Sequence, residues 1–431
     1  MTQASNSWMR RQEGLGVWEH RGKVAITGVG HSTLDRRWDG KNLATSLGAY
    51  SVIAARKAIE DSGVNPDDID GVITSSESLG DPWGPRPYFD APYDSEDGLT
   101  GVTAEWLTKQ LGLKNVKYFN SNAPQIGAMM GLASQAVGDG VATNCLVLYP
   151  TGNLEGRYHH ALPENLAPTA PGGRQWLAPW GNQGGAMMGT AMTYTEYCYK
   201  YQGGKHDWLA PLAVNQRRNG LRTPWGFYAT HEPYQITEDD YLSSRWIMAP
   251  LRLFDCDRPV NGAACYLFSA ADKAKDLKQK PVYVLNHAQN GGGSRGMMVT
   301  LSEIERASKS IATKMYEGSG LRAEDLDVFN PYDGYLAFTQ NFLEGFGWHG
   351  VKLGESADFY KGDITTEGPH PFASGGGNNG NGRTRTAIFT DSIEQLRGTA
   401  GERQIHLKAE TAMAGCNTPN GCGWIALSTV L

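Results

Sequence analysis

The chain has 431 residues, enough to bury a large core in two or three domain-sized units. Its 39 Lys and Arg against 45 Asp and Glu leave a net charge of −6 with no long basic run, which excludes nucleic acid as the expected partner. No apolar run approaches a membrane span, and Arg10-Arg11 is not followed by the apolar stretch of an export signal, so a cytoplasmic protein without a membrane partner is expected.

Residues 1–22 read as an extended polar arm. Lys23 to Val29 is the first expected strand, and Asn42 to Ser62 has helical spacing with Gly63 as its stop. Ile69 to Thr74 is a second strand, residues 76–100 a Pro/Gly/Asp-rich loop, and Thr103 to Leu111 a short helix. Tyr118 to Pro150 reads as polar loop, helix, turn and strand. The helix, from Ala123 to Val137, carries almost no charge and should be buried on all sides. A buried helix N-terminus after a polar loop (Asn120, Ser121, Asn122) favours developing negative charge, though a packing helix shows the same pattern.

Residues 151–192 form a Gly/Pro/Trp-rich insertion with His159 and His160, a candidate lid or interface. Helices are expected at Met192–Tyr201, Asp239–Trp246, Leu301–Glu317, Leu336–Phe346 and Ala387–Leu396. Strands are expected at Ala264–Ser269, Val282–His287, Leu326–Phe329, His406–Glu410 and Trp424–Val430. Six cysteines (Cys145, Cys198, Cys256, Cys265, Cys416 and Cys422) form no CxxC pair and read as reduced, buried thiols; no metal site is expected.

One internal echo stands out. Asp61 to Ile73 reads DSGVNPDDIDGVI, and Gly318 to Asn330 reads GSGLRAEDLDVFN. Both give a helix end, a Gly, an acidic turn and a strand, which points to two similar halves of an α/β protein.

A duplicated α/β chain with a buried small-residue helix resembles the thiolase superfamily, and within it the sterol-carrier-protein-type branch. Arg245 to Leu267 is similar to that branch's "PL…D…DGAAA" segment, Asp327 to Tyr335 (DVFNPYDGY) to its "YDCF" motif, and Ser374 to Arg383 (SGGGNNGNGR) to its "GG…GH" loop. The resemblance implies two βαβαβαββ halves in α-β-α-β-α layers, residues 23–270 with a loop insertion at 151–250, and residues 271–431. It also implies a homodimer and a small partner subunit with an OB-fold and zinc ribbon.

The departures carry the functional expectation. In the family register Ala123 stands where thiolases carry the nucleophilic cysteine, and Tyr332 replaces a His. Thiolysis requires an acyl-enzyme. Retro-aldol cleavage of an acyl-CoA requires only proton transfer and stabilisation of a thioester enolate. Side-chain-cleaving steroid aldolases look like thiolases that took this route, using one tyrosine in the "YD" motif, matched by Tyr332-Asp333, and a second near Gly382, absent here.

The expectation is therefore a lyase acting on a CoA thioester, without a cofactor. Tyr332 transfers the proton, Asp333 orients it or caps the following helix, and His287 and His370 are candidate bases. Asn122, Ala123, Gly376, Gly377, Asn378, Asn379, Gly382 and Arg383 line the thioester pocket, the glycine-rich turn offering backbone N–H groups to the thioester oxygen. Two alternatives stay open: an acyltransferase using Cys416, and a non-catalytic acyl-CoA- or sterol-binding subunit.

Overall fold

The computed structural model describes residues 8–39, 41–75, 101–123, 125–152, 186–291 and 299–431. His159, His160 and most of the 151–192 insertion lie outside them. The first half supplies strands β1 (Val24–His31), β2 (Gly71–Ser75), β3 (Tyr118–Ala123), β4 (Asn144–Gly152) and β5 (Asn261–Ala270). The second supplies β6 (Val282–Gln289), β7 (Val328–Asn330), β8 (Thr411–Cys416) and β9 (Gly423–Ser428). Among the described residues they run in the order β3-β2-β4-β5-β1-β6-β9-β8-β7.

That order contains the duplication. In the first half β2 is parallel to β4, β4 antiparallel to β5, and β5 antiparallel to β1. In the second, β7 is parallel to β8, β8 antiparallel to β9, and β9 antiparallel to β6. The halves join where β1 meets β6, at Ala25–Tyr283 and Ile26–Val282.

The sequence echo maps onto equivalent joints. Helices α1 (Leu47–Ser62) and α5 (Leu301–Ser319) end on Gly63 and Gly320, whose left-handed φ values of 72° and 73° a side chain would resist. The Ser62 and Ser319 hydroxyls accept the N–H two residues on, at 3.0 and 3.2 Å. The Asp70 carboxylate then accepts the Thr143 and Asn144 N–H groups at 2.8 and 2.9 Å, and Asp327 accepts those of Glu410 and Thr411 at 2.8 and 3.0 Å. Each acid fastens its strand to the parallel neighbour.

Helices α1 and α2 (Ala104–Leu111) cover the outer face of the first strands. Strand alternation sorts the core: Leu146, Leu148, Cys265 and Leu267 face these helices, whereas Val147, Tyr149, Tyr266 and Phe268 face inward. The central layer holds α3 (Ile126–Gly138) and α7 (Ala387–Arg397), and α5 covers the outer face of the second strands. Every residue from Ile126 to Val137 is buried. Ile126, Met129 and Met130 each contribute about 2 kcal/mol by leaving water.

Four expectations are corrected. The polar loop at Tyr118–Ala123 is strand β3, which tolerates Asn120 and Ser121 because it is the sheet edge. The strand expected at His406–Glu410 begins at Thr411, where the Asp327 carboxylate starts the ladder. The helix expected at Asp239–Trp246 ends at Ser243, and Trp246 opens a two-strand hairpin. A helix not expected, α4 (Ala210–Leu221), lies beneath the glycine-rich segment.

Candidate active site

Strand β7 ends on Asn330, and the chain continues as Pro331, Tyr332, Asp333, Gly334 and Tyr335. Asn330 anchors it, donating to Asp391 at 3.1 Å and Ser392 at 2.9 Å on α7. Tyr332 is buried and stacks on Phe338, with centroids 5.9 Å apart. Its hydroxyl lies over Gly334, where an added Cβ would stand 2.2 Å from the oxygen. That hydroxyl makes no hydrogen bond to the described residues. Burial pushes the phenol well above its usual range, while the positive charges of Arg385 and Arg383 oppose the shift and Asp257 and Cys416 add to it. Tyr332 therefore stays protonated at neutral pH.

Asp333 points the other way, into the N-terminus of the short helix α6 (Gly377–Asn381). It accepts the Asn378 and Asn379 N–H groups at 2.9 and 3.0 Å, the Asn378 side-chain amide at 3.0 Å and the Gln216 amide of α4 at 3.1 Å. The Asn379 side chain donates to the Asp333 carbonyl at 2.6 Å. Burial raises the carboxyl to about 6, against the two backbone donors that favour its ionised form. Asp333 thus caps α6 rather than the helix that follows it in sequence. The N–H groups expected to meet a thioester oxygen are occupied by this carboxylate.

Glycine makes the contact possible. Gly377 has φ 57°, and a Cβ there would stand 2.2 Å from the Asp333 carboxylate. Helices α4 and α6 touch backbone to backbone, and a Cβ on Gly220 would stand 1.9 Å from the Gly380 carbonyl. Gly376 and Gly382 also have left-handed φ, at 75° and 87°. Beyond them the Arg383 N–H donates to the Arg258 carbonyl at 2.7 Å, and its side chain lies 3.8 Å from Asp257. Arg385 donates its N–H to the Asn378 side chain at 2.7 Å and its guanidinium to the Tyr149 hydroxyl at 3.0 Å.

Ala123 ends β3 with its methyl buried, and its carbonyl accepts the Ser75 hydroxyl at 3.2 Å. The Asn122 backbone lies in β3, and its side chain is outside the described residues. Helix α3 then starts on Gln125, whose side chain accepts the Gly127 N–H at 3.0 Å. Gly127 abuts the Gly423 carbonyl, 2.2 Å from where a Cβ would sit. Cys416 and Cys422 flank the loop met by this end of the helix, and both are buried. The Cys422 thiol is pushed up to about 12, chiefly by burial, so it stays protonated.

The structure brings Tyr332, Asp333, Gly376, Gly377, Asn378, Asn379, Gly382 and Arg383 into one wall. It does not bring His287 or His370 to them. His287 sits in β6, edge-on to Trp18 and 3.2 Å from Gln135 well along α3, and burial lowers it to about 3. It ties the N-terminal arm to the central helix. His370 is exposed, its ring 4.4 Å from that of His349. Sequence reasoning missed Tyr149, Gln216, Asp257 and Arg385. Asp257 lies within the Arg245 to Leu267 segment, and Arg385 lies two residues past the glycine-rich run. Gln216 carried no signal, because it is a polar residue on a buried helix face.

Solved structures share this architecture. The Ltp2-ChsH2(DUF35) aldolase superposes with a TM-score of 0.75 at 21% identity over 95% of this chain and 98% of that one. An acetyl-CoA acetyltransferase from Syntrophomonas wolfei gives 0.63 at 15% identity over 94% of this chain and 99% of that one. The chain has a thiolase fold. Residues 294–428 of this thiolase-fold chain match the thiolase C-terminal domain-like family. A steroid side-chain-cleaving aldolase of Thermomonospora curvata is 26% identical, covering 92% of this chain and 96% of that relative. The 17-hydroxy-3-oxo-4-pregnene-20-carboxyl-CoA lyase of Mycobacterium tuberculosis is also 26% identical, covering 92% and 97%. Among the described residues no helix is long and apolar enough to cross a membrane.

Proposed function

We propose that this chain is a lyase that cleaves a carbon–carbon bond of a bulky, steroid-like β-hydroxyacyl-CoA by a retro-aldol step, without a cofactor. The observation that carries the reading is Tyr332, a buried phenol whose hydroxyl is unclaimed by the described residues, set among Arg383, Arg385 and Asp257. The relatives' names, an aldolase and an acyl-CoA lyase, support the reaction class.

Asp257, beside Arg383, takes the β-hydroxyl proton. The Cα–Cβ bond breaks, the β-carbon leaves as a ketone or aldehyde, and the electron pair passes into a thioester enolate. Arg385 and Arg383 offset the developing charge. Tyr332 delivers its proton to the α-carbon, giving a shortened acyl-CoA. One proton is removed and one returned, so no free CoA is consumed. Ala123 supports the same route, since a methyl group stands where the resemblance places the thiolase nucleophile. The two-part name of the solved Ltp2-ChsH2(DUF35) aldolase supports assembly with a partner subunit, which we assign to the OB-fold and zinc-ribbon class, around a homodimeric core.

The test is intact-mass spectrometry after mixing with acyl-CoA, together with turnover by Cys416→Ala. An unmodified mass and retained activity are expected. An acyl adduct at Cys416, lost with activity in the variant, would replace this reading with acyl transfer.

A further inference from the structure

Two loops form the candidate wall, and both are rooted on one carboxylate. Asp391 lies on α7 and is buried. Its Oδ2 accepts the Asn330 side-chain amide at 3.1 Å and the Ser374 hydroxyl. Its Oδ1 accepts the Gln395 amide at 3.3 Å and pairs with Arg403. Asn330 closes β7 two residues before Tyr332, and Ser374 opens the glycine-rich segment that leads into α6. The same two loops meet again where Asp333 accepts the Asn378 and Asn379 N–H groups. They therefore close a ring, through Asp391 on one side and Asp333 on the other. Tyr332 stands in its short arm, between Asn330 and Asp333. Gly375 lets the ring shut, since a Cβ there would stand 2.5 Å from the Asp391 Cβ.

Packing alone does not call for this acid. Helix α3, the other member of the central layer, carries no charged residue from Ile126 to Val137. A buried carboxylate is costly unless it keeps its donors, and charge-assisted hydrogen bonds are the stronger ones. Arg403, also held by Glu394, supplies the counter-charge from outside the two loops. That leaves Oδ2 to the loops. The Tyr332 ring is held by stacking on Phe338, and its hydroxyl makes no hydrogen bond to the described residues. Where that oxygen stands is thus decided by the loop that carries it.

We propose that Asp391 is a positioning residue: by tying the roots of both loops it sets where the Tyr332 hydroxyl stands. The proposal rests on the reading that Tyr332 transfers a proton in the cleavage.

Asp391→Ala would break the buried pair with Arg403 and destabilise the whole chain, so the ties are cut from the donor side. The full chain, labelled at tyrosine Cζ for carbon NMR, is compared as wild type, Ser374→Ala, Asn330→Ala and the double variant. The Tyr332 resonance is assigned by its loss in Tyr332→Phe. Ser319→Ala is the control, because it removes a buried hydroxyl at the end of α5, outside the ring. Ser374→Ala and Asn330→Ala should each shift the Tyr332 resonance and lower kcat on a β-hydroxyacyl-CoA about tenfold. The double variant should also lose about tenfold rather than the roughly hundredfold product, because either cut opens the same ring. Ser319→Ala should lower the urea midpoint and leave kcat and the resonance unchanged. An unmoved Tyr332 resonance in the folded single variants overturns the proposal. So does a double variant that loses the full product, or a Ser319→Ala variant that loses as much kcat as Ser374→Ala. In an active chain, a shifted resonance with unchanged kcat overturns it too. A wild-type chain that cleaves nothing refutes the retro-aldol reading instead, and the resonance then decides the positioning by itself.

Discussion

The two halves agree at one end of the sheet and part at the other. Where the chain enters β2 and β7, serine, glycine and aspartate recur in the same roles, and Asp70 and Asp327 accept the same pair of backbone N–H groups. At the far end, α3 starts on a neutral Gln125 after Ala123, while α6 starts on the charged Asp333 beside Tyr332. The joints that close the sheet tolerate little change, because each buried donor must keep its acceptor. The loops at the far end answer to chemistry instead, and there the duplicated pattern breaks. The positions that differ between the halves are therefore where activity should reside, and those that match should govern stability alone.

Four substitutions can break or sharpen that contrast. Tyr332→Phe should lower kcat by about 10²–10⁴-fold, the usual range for a proton-transfer group. The hydroxyl makes no hydrogen bond to the described residues, so the denaturation midpoint should barely move. Unchanged turnover would place the chemistry elsewhere. Asp333→Ala orphans the Asn378 and Asn379 N–H groups and the Gln216 amide, and should cost at least about 3 kcal/mol in urea unfolding and abolish activity by releasing α6.

Asp70→Ala and Asp327→Ala should each cost about 1–3 kcal/mol, alike within experimental error and with kcat unchanged. A large difference between them would show that the matching geometry is not matching energetics. The smallest expected effect concerns pH. Burial raises Asp255 to about 7, above the usual carboxyl range, so its protonated form favours the fold. Its stability contribution is full below pH 4 and lost as pH rises through 7. The advantage of the wild-type chain over Asp255→Asn should thus shrink between pH 4.5 and 7.5 in thermal melts, and an advantage that grows would reverse the assignment.

The elements legible in sequence were those with a periodic or punctuated signal. Ile126–Val137 announced its burial by lacking charge, and the paired Ser-Gly and Asp spacing announced the duplication. Helix α4 stayed hidden because its buried face carries Asn215, Gln216 and Asn219, polar groups whose side-chain amides donate to segments more than a hundred residues away. Within the site, the motif positions Tyr332 and Asp333 were readable as a pair. Their opposite directions were not, since a single Gly377 with no Cβ decides that Asp333 turns to α6. His287 and His370 suit the role of a base by residue type alone, and the fold sets one against Trp18 and the other at the surface.

The central claim is cleavage without an acyl-enzyme, and product analysis tests it most directly. The purified chain, alone and with any co-purifying small subunit, is given a branched β-hydroxyacyl-CoA and, separately, a β-ketoacyl-CoA with free CoA. The account predicts a ketone or aldehyde and a shortened acyl-CoA from the hydroxy substrate, with free CoA untouched. Consumption of free CoA with the keto substrate would mean thiolysis and contradict the reading built on Ala123 and Tyr332.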